Sequence, residues 1–122
     1  MYEIVVKTKF DAAHQLREYN GKCANIHGHT WNVEVYLQGN ILNKEGMLID
    51  FSKVKELLEE EINKYDHRLI NEVEPFIVIN PTAENIACEI YKNLKKRIPQ
   101  NVSIAKVAVW ESPNACAIYR EE

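Results

Sequence analysis

The chain has 122 residues, of which 46% are hydrophobic and 27% charged, and its formal net charge at pH 7 is −3. This composition predicts one globular domain over residues 1–122 and excludes a disordered chain. The net negative charge argues against a general nucleic-acid binder, because such proteins rely on diffuse positive charge. An anionic substrate would need a local basic patch.

Cysteine usage and apolar segments indicate the compartment. Cys23, Cys88 and Cys116 are odd in number and form no CxxC pair, which disfavours a disulfide framework. The opening residues MYEIVVKTKF carry charges inside their apolar run, so we expect neither a signal peptide nor a membrane span. A cytoplasmic protein without membrane contact is the prediction.

Two alternating segments near the start predict two β-strands. Residues 2–14 alternate between apolar and charged positions, as in a half-buried strand. Residues 30–38 alternate as well, with Trp31, Val33, Val35 and Leu37 on one side. Residues 39–46, GNILNKEG, then indicate a loop.

The pattern changes to helical spacing from about Ser52. The apolar stripe of this first helix is Val54, Leu57, Leu58 and Ile62. A second helix is predicted to begin near Asn80-Pro81-Thr82, with an N-cap candidate and a proline in its first turn, and to end before Pro99.

Two short strands, roughly 103–110 and 115–119, complete the order ββααββ. This order predicts an α+β fold, a four-stranded antiparallel sheet with both helices on one face. A sheet of this size has two open edges, which either carry protective charges or pair with other subunits.

Three of the four histidines lie at matching positions on the first two predicted strands. His27 and His29 are two residues apart, so their side chains point the same way, with Cα atoms about 6.6 Å apart at ~3.3 Å per residue. If the strands pair as a hairpin, His14 joins them on one surface. Three imidazoles with an open position form a catalytic zinc pattern. The alternative is a set of buried, hydrogen-bonded strand histidines.

The roles of three further residues stay open at this level. Cys23, four residues before His27, is either a fourth ligand that closes the site or a nearby thiolate that acts as base or nucleophile. Asp66 and His67 form either a proton-transfer pair or a surface pair at a helix end. Glu111, at the end of an apolar strand, is either aimed into a pocket or, as its neighbours alone suggest, solvated at a turn.

Five motifs together resemble the 6-pyruvoyl-tetrahydropterin synthase and 6-carboxytetrahydropterin synthase family. In chain order they are FDAAHQL, C-x3-HGH, YDHRLIN, NPTAENIA and WESPNACAIY, which extend from Phe10 to Tyr119. The short gap in C-x3-HGH is similar to the 6-carboxytetrahydropterin branch. The resemblance implies the tunnelling fold, in which sheet edges of three subunits pair into a barrel and two trimers stack into a hexamer.

The resemblance also implies a role for each site residue. His14, His27 and His29 would bind zinc, and Cys23 would accept a proton rather than bind the metal. Asp66 with His67 would form the supporting relay. Glu111 would anchor the pterin ring, with a further place in the relay left open, and Thr82 would either touch the pterin or only cap its helix.

The implied activity converts 7,8-dihydroneopterin triphosphate to 6-carboxytetrahydropterin, acetaldehyde and triphosphate, in queuosine and deazapurine biosynthesis. The alternatives are a 6-pyruvoyl-tetrahydropterin synthase, which keeps the side chain, and a zinc-stabilised pterin-binding protein without turnover. Active sites would lie between subunits of the homo-oligomer. Candidate triphosphate contacts are Arg17, Lys22, Arg68 and Lys106.

Overall fold

A computed structural model describes residues 1–18, 21 and 24–121. The elements are β1 (Tyr2–His14), β2 (His27–Gly39), α1 (Phe51–Ile62), α2 (Ala83–Lys95), β3 (Ser103–Ser112) and β4 (Ala115–Tyr119). The strands form one antiparallel sheet in the order β1-β2-β3-β4. The predicted ββααββ fold is therefore confirmed, and no described helix has the length and apolarity needed to cross a membrane.

The long β1–β2 hairpin provides most of the sheet side of the core. Its register pairs Phe10 with Trp31 and, at its end, His14 with His27. Side chains of one parity on each strand are buried with those of the helices in one cluster. Burial of this apolar surface is the main favourable contribution to folding, at about 25 cal/mol per Å². The histidines thus extend a row of core residues.

Both helices begin at side-chain caps, which satisfy N–H groups that have no partner within the helix. Asp50 caps α1 by accepting from the Ser52 N–H at 2.8 Å. Thr82 caps α2 by accepting from the Asn85 N–H at 3.1 Å. Pro81 therefore precedes the cap, and its predicted place in the first helical turn is wrong. Its carbonyl is used elsewhere, as described below.

The connection between the helices covers part of the outer edge of β1. The Ala13 N–H donates to the Arg68 carbonyl at 3.0 Å, and Leu69 forms a parallel bridge with Ala13. A short 3-10 turn, Ile70–Glu72, follows. This edge contact brings the Asp66-His67 segment beside the strand that ends at His14.

Substituting Leu58→Ala tests the packing of α1 on the sheet. Leu58 is 0% exposed, so we expect a loss of about 2–5 kcal/mol in the free energy of unfolding, from lost transfer energy and a residual cavity. Denaturant titration measures it. Ile41→Ala is the control, because Ile41 is 73% exposed and should change little. Equal, small losses for both variants would contradict the described core.

Candidate metal centre and active site

Three histidines meet at the end of the β1–β2 hairpin on the helix side of the sheet. The ring centroids are 4.5 Å apart for His14 and His27, 5.1 Å for His14 and His29, and 4.8 Å for His27 and His29. The buried Trp31 ring lies against the group, 4.9 Å from His14 and 5.3 Å from His29. The predicted convergence of the three rings is confirmed.

Backbone carbonyls fix the hydrogen positions of two of these rings. His14 Nδ1 lies 2.8 Å from the Pro81 carbonyl oxygen, and His27 Nδ1 lies 2.7 Å from that of Asn25. A carbonyl oxygen only accepts, so each Nδ1 carries the hydrogen and each neutral ring has a bare lone pair at Nε2. These two Nε2 atoms are 2.9 Å apart. Facing lone pairs repel unless a cation or a proton lies between them.

The third ring lacks a hydrogen-bond partner at its inner nitrogen. His29 Nε2 is buried and makes no hydrogen bond within the described part of the chain. Burial lowers the pKa of both His14 and His29, although the Glu111 carboxylate opposes the shift at His29. Loss of water thus favours the neutral imidazoles, and neutral imidazole is the form that binds a metal.

Glu111 completes the group from β3. Its Oε1 lies 3.3 Å from His29 Nε2, and the four donor atoms of His14, His27, His29 and Glu111 all lie within 4.8 Å of one another. Glu111 lies within β3 and contacts His29, so the expectation that it is merely solvated at a turn is wrong. Val107 and Val109, four and two residues earlier at the same parity, are buried in the core, and this parity is the sequence signal that could have placed Glu111 at the site.

The chemistry of these donors fits a divalent cation. Imidazole nitrogens with a carboxylate oxygen are ligands that zinc accepts in a four-coordinate site. The opposed lone pairs of His14 and His27 are unfavourable without a positive charge. The buried His29 Nε2 makes no hydrogen bond to any described residue, although the Glu111 carboxylate lies 3.3 Å from it. The group therefore could bind a metal ion, with Glu111 either as a ligand or as an acceptor for a molecule bound beside it.

Asp66 and His67 form a second group, with Asp11. Asp66 Oδ1 accepts from the Asp11 N–H at 3.0 Å and lies 3.0 Å from His67 Nδ1. The first of these hydrogen bonds is the main reason that the pKa of Asp66 lies below its ordinary value. The His67 N–H donates back to the Asp11 carbonyl at 2.6 Å. The predicted Asp66-His67 pair is present, while the part played by Asp11 was not predicted.

His67 has a φ of +59°, in the left-handed region that non-glycine residues rarely adopt. Such a conformation costs on the order of 1–3 kcal/mol and persists only where surrounding contacts impose it. The ring is 78% exposed and, among the described residues, belongs with Asp11 and Asp66 rather than with the three-histidine group. His67 and His29 nevertheless line one open cleft of about 550 Å³.

The basic residues proposed as triphosphate contacts have different surroundings. The Arg17 guanidinium donates to the carbonyls of Asn71, Phe76 and Ile79, at 3.4, 2.7 and 3.1 Å. Lys106 lies over the Tyr36 ring, with Nζ 4.4 Å from the centroid, on the helix-free face of the sheet. Arg68 lines the cleft with His29 and His67 and is exposed. Of these three, Arg68 has the position suited to an anion.

Of the remaining predicted site residues, only Thr82 lies in the part of the chain that the structure describes. Cys23 and Lys22 lie outside the described residues, so their predicted roles are not tested here. Thr82 is confirmed as the N-cap of α2. Its hydroxyl accepts the capping hydrogen bond and can still donate one to a ligand, so the predicted pterin contact stays a prediction.

Comparison with known proteins identifies relatives over the whole length. The family model described as 6-pyruvoyl tetrahydropterin synthase matches residues 3–122. A dihydroneopterin monophosphate aldolase of Pyrococcus furiosus is 35% identical over 108 residues, with 88% of each chain covered. A 6-carboxy-5,6,7,8-tetrahydropterin synthase of Haemophilus influenzae is 33% identical over 143 residues, with 99% of this chain and 100% of the relative covered. The resemblance seen in the sequence motifs is confirmed.

A solved structure agrees with the fold. The 6-pyruvoyl tetrahydropterin synthase of Caenorhabditis elegans superimposes with a TM-score of 0.88 at 28% identity, with 99% of this chain and 96% of that chain covered. The described sheet and helices therefore have the arrangement found in that enzyme, the tunnelling fold.

Removing one imidazole tests the metal centre. We expect His27→Ala to weaken Zn²⁺ binding more than hundredfold, because even changes outside the ligand shell cost about 10–100-fold. Competition titration with a chromophoric chelator measures the affinity. His67→Ala is the matched control, since His67 lies outside the three-histidine group, and it should keep the wild-type affinity. Equal affinities for H27A and the wild type would refute the site.

Proposed function

Because the chain belongs to the 6-pyruvoyl tetrahydropterin synthase family, we propose that it is a zinc-dependent 6-carboxy-5,6,7,8-tetrahydropterin synthase. It would convert 7,8-dihydroneopterin triphosphate to 6-carboxytetrahydropterin, acetaldehyde and triphosphate, for queuosine and deazapurine biosynthesis. The supporting observation is the convergence of His14, His27 and His29 with the Glu111 carboxylate beside them. The name of the relative from Haemophilus influenzae supports the choice of product.

The three histidines would hold Zn²⁺ by their Nε2 atoms. When bound, the ion would supply Lewis acidity to the substrate's side-chain oxygens, which makes neighbouring hydrogens easier to remove. Glu111 would bind the pterin ring, because a carboxylate can accept from the 2-amino and N3 hydrogens together. Its Oε1 lies 3.3 Å from His29 Nε2, so a ring bound there would have its side chain next to the metal.

Proton transfer would be divided between two groups. The Cys23 thiolate would remove a proton from the substrate side chain, since a nearby cation lowers the pKa of a thiol. His67 would pass protons on, with Asp66 orienting its ring through their 3.0 Å contact. Asp66 accepts the Asp11 N–H and remains a carboxylate, which suits this role.

The assembly proposed is a homo-oligomer, a trimer stacked into a hexamer with active sites between subunits. Within the described chain the Asp66-His67 pair forms its own group, apart from the four metal donors. Pairing of subunits along open sheet edges would allow residues of one chain to serve the site of another. A reducing cytoplasm is the proposed location, because it would keep Cys23 as a thiol.

A second candidate function is cleavage of dihydroneopterin monophosphate by an aldolase reaction. The observation favouring it is the Pyrococcus furiosus aldolase, 35% identical over 108 residues. In a retro-aldol step the C1′–C2′ bond would break, and the C2′ hydroxyl would lose its proton and become an aldehyde. The electron pair would pass to the dihydropterin ring, and C1′ would then gain a proton. The same metal and base would serve both reactions.

Product analysis distinguishes these functions. Zinc-loaded protein is incubated separately with dihydroneopterin triphosphate and monophosphate, and the products are identified by mass. We expect acetaldehyde and 6-carboxytetrahydropterin from the triphosphate. Glycolaldehyde phosphate from the monophosphate would support the aldolase instead, and triphosphate release with the side chain retained would support 6-pyruvoyl-tetrahydropterin synthesis. Bound but unchanged substrate would indicate a pterin-binding protein without turnover.

The role of Cys23 is tested by Cys23→Ala. We expect wild-type zinc content and a kcat reduced by about 10²–10⁴-fold, the usual contribution of a positioned base. Cys116→Ala is the control, because Cys116 is exposed on β4 and should leave kcat unchanged. If C23A loses its zinc, Cys23 is a ligand and the proposed base is wrong.

A further inference from the structure

Side-chain amides continue the outer hydrogen bonds of β1 beyond its last residue. The Gln15 N–H donates to Asn71 Oδ1 at 2.8 Å, and Asn71 Nδ2 donates to the Gln15 carbonyl at 2.8 Å. Arg17 has the same arrangement with Asn80: its N–H donates to Oδ1 at 2.8 Å and its carbonyl accepts from Nδ2 at 3.0 Å. Each asparagine thus takes the place of a strand residue.

Asn80 is fixed at its backbone as well as at its side chain. Its carbonyl accepts from Asn85 Nδ2 at 2.9 Å, in the first turn of α2. The next residue is Pro81, which is buried and whose ring fixes φ. The Pro81 carbonyl lies 2.8 Å from His14 Nδ1. A continuous series of contacts therefore runs from the Arg17 backbone through Asn80 to a candidate metal ligand.

We propose that Asn80 is a positioning residue for the metal centre, which holds the Pro81 carbonyl against His14 Nδ1 and so keeps His14 Nε2 bare and aimed at the cation. The proposal rests on the proposed function only in requiring that the three histidines bind a metal. It assigns to the first residue of the NPTAEN motif a role distinct from the helix cap that Thr82 provides.

The chemistry of the contact requires an amide. One acceptor and one donor must face the N–H and the carbonyl of Arg17 at the same time, and an asparagine side chain offers both. Aspartate would keep the acceptor and lose the donor. Partners of this kind orient metal-binding histidines, and losing them costs about 10–100-fold in metal affinity.

Asn71 supplies a matched control. It binds Gln15 through the same pair of hydrogen bonds, but its own carbonyl accepts from Arg17 at 3.4 Å rather than leading to a metal ligand. Asn71→Ala and Asn80→Ala therefore remove equivalent contacts from neighbouring residues. Asn71→Ala loosens Gln15, which follows His14, but leaves the Pro81 carbonyl in place, whereas Asn80→Ala loosens the residue that precedes Pro81.

The experiment titrates the wild type, N71A and N80A with Co²⁺, whose absorption spectrum reports its coordination. Nitrogen-15 NMR spectra of the imidazoles are then recorded for the metal-free proteins, under conditions where the rings are neutral. For N80A we expect Co²⁺ affinity to fall about tenfold and His14 to lose its preference for hydrogen at Nδ1. For N71A we expect less than about a threefold change and an unaltered His14 signal.

Equal losses in N71A and N80A would overturn the proposal, as would a wild-type affinity and His14 signal in N80A. If N80A does not fold, Asn80→Asp replaces it, with the same expectations. No substrate is used, so failure of the proposed reaction leaves this result unaffected. Absence of Co²⁺ binding in the wild type would overturn the metal centre itself.

Discussion

The opposed lone pairs of His14 and His27 are the interaction on which the site depends. Two backbone carbonyls accept hydrogen bonds from the Nδ1 atoms, so both Nε2 atoms carry bare lone pairs. These two Nε2 atoms face each other at 2.9 Å. In water each would be solvated, but here burial disfavours protonation at His14. A divalent cation would remove the repulsion and would satisfy the buried His29 Nε2 as well. A metal ion bound at this group would therefore stabilise the polar end of the core.

The hairpin delivers these ligands by the same regularity that builds the core. Alternate residues of β1 and β2 pack against the helices, and at the last pairs the row changes from apolar side chains to histidines. Trp31, fully buried beneath the rings, limits their rotation. The three histidines are therefore positioned by the sheet itself. The Asp66-His67 pair is instead held at the edge of β1 by hydrogen bonds to Asp11.

The parts of this arrangement that sequence could predict are those governed by periodicity. Strand alternation placed His14, His27 and His29 on one surface, and helical spacing gave α1 and α2. The direction of the Glu111 side chain does not follow from its immediate neighbours, because β3 ends one residue later and its register with β4 shifts between Trp110 and Ser112. The contacts of Asp11 and Asn80 depend on the path of the connection between helices, including the positive φ of His67, which no local pattern encodes.

Anomalous diffraction at the zinc edge, from crystals of zinc-loaded protein, is the most direct test of the central claim. We expect one peak within bonding distance of the Nε2 atoms of His14, His27 and His29, about 2.0–2.1 Å from each, with a position left for substrate. A peak elsewhere, or a fourth protein ligand from Cys23 or Glu111 that closes the coordination shell even with pterin bound, would contradict it.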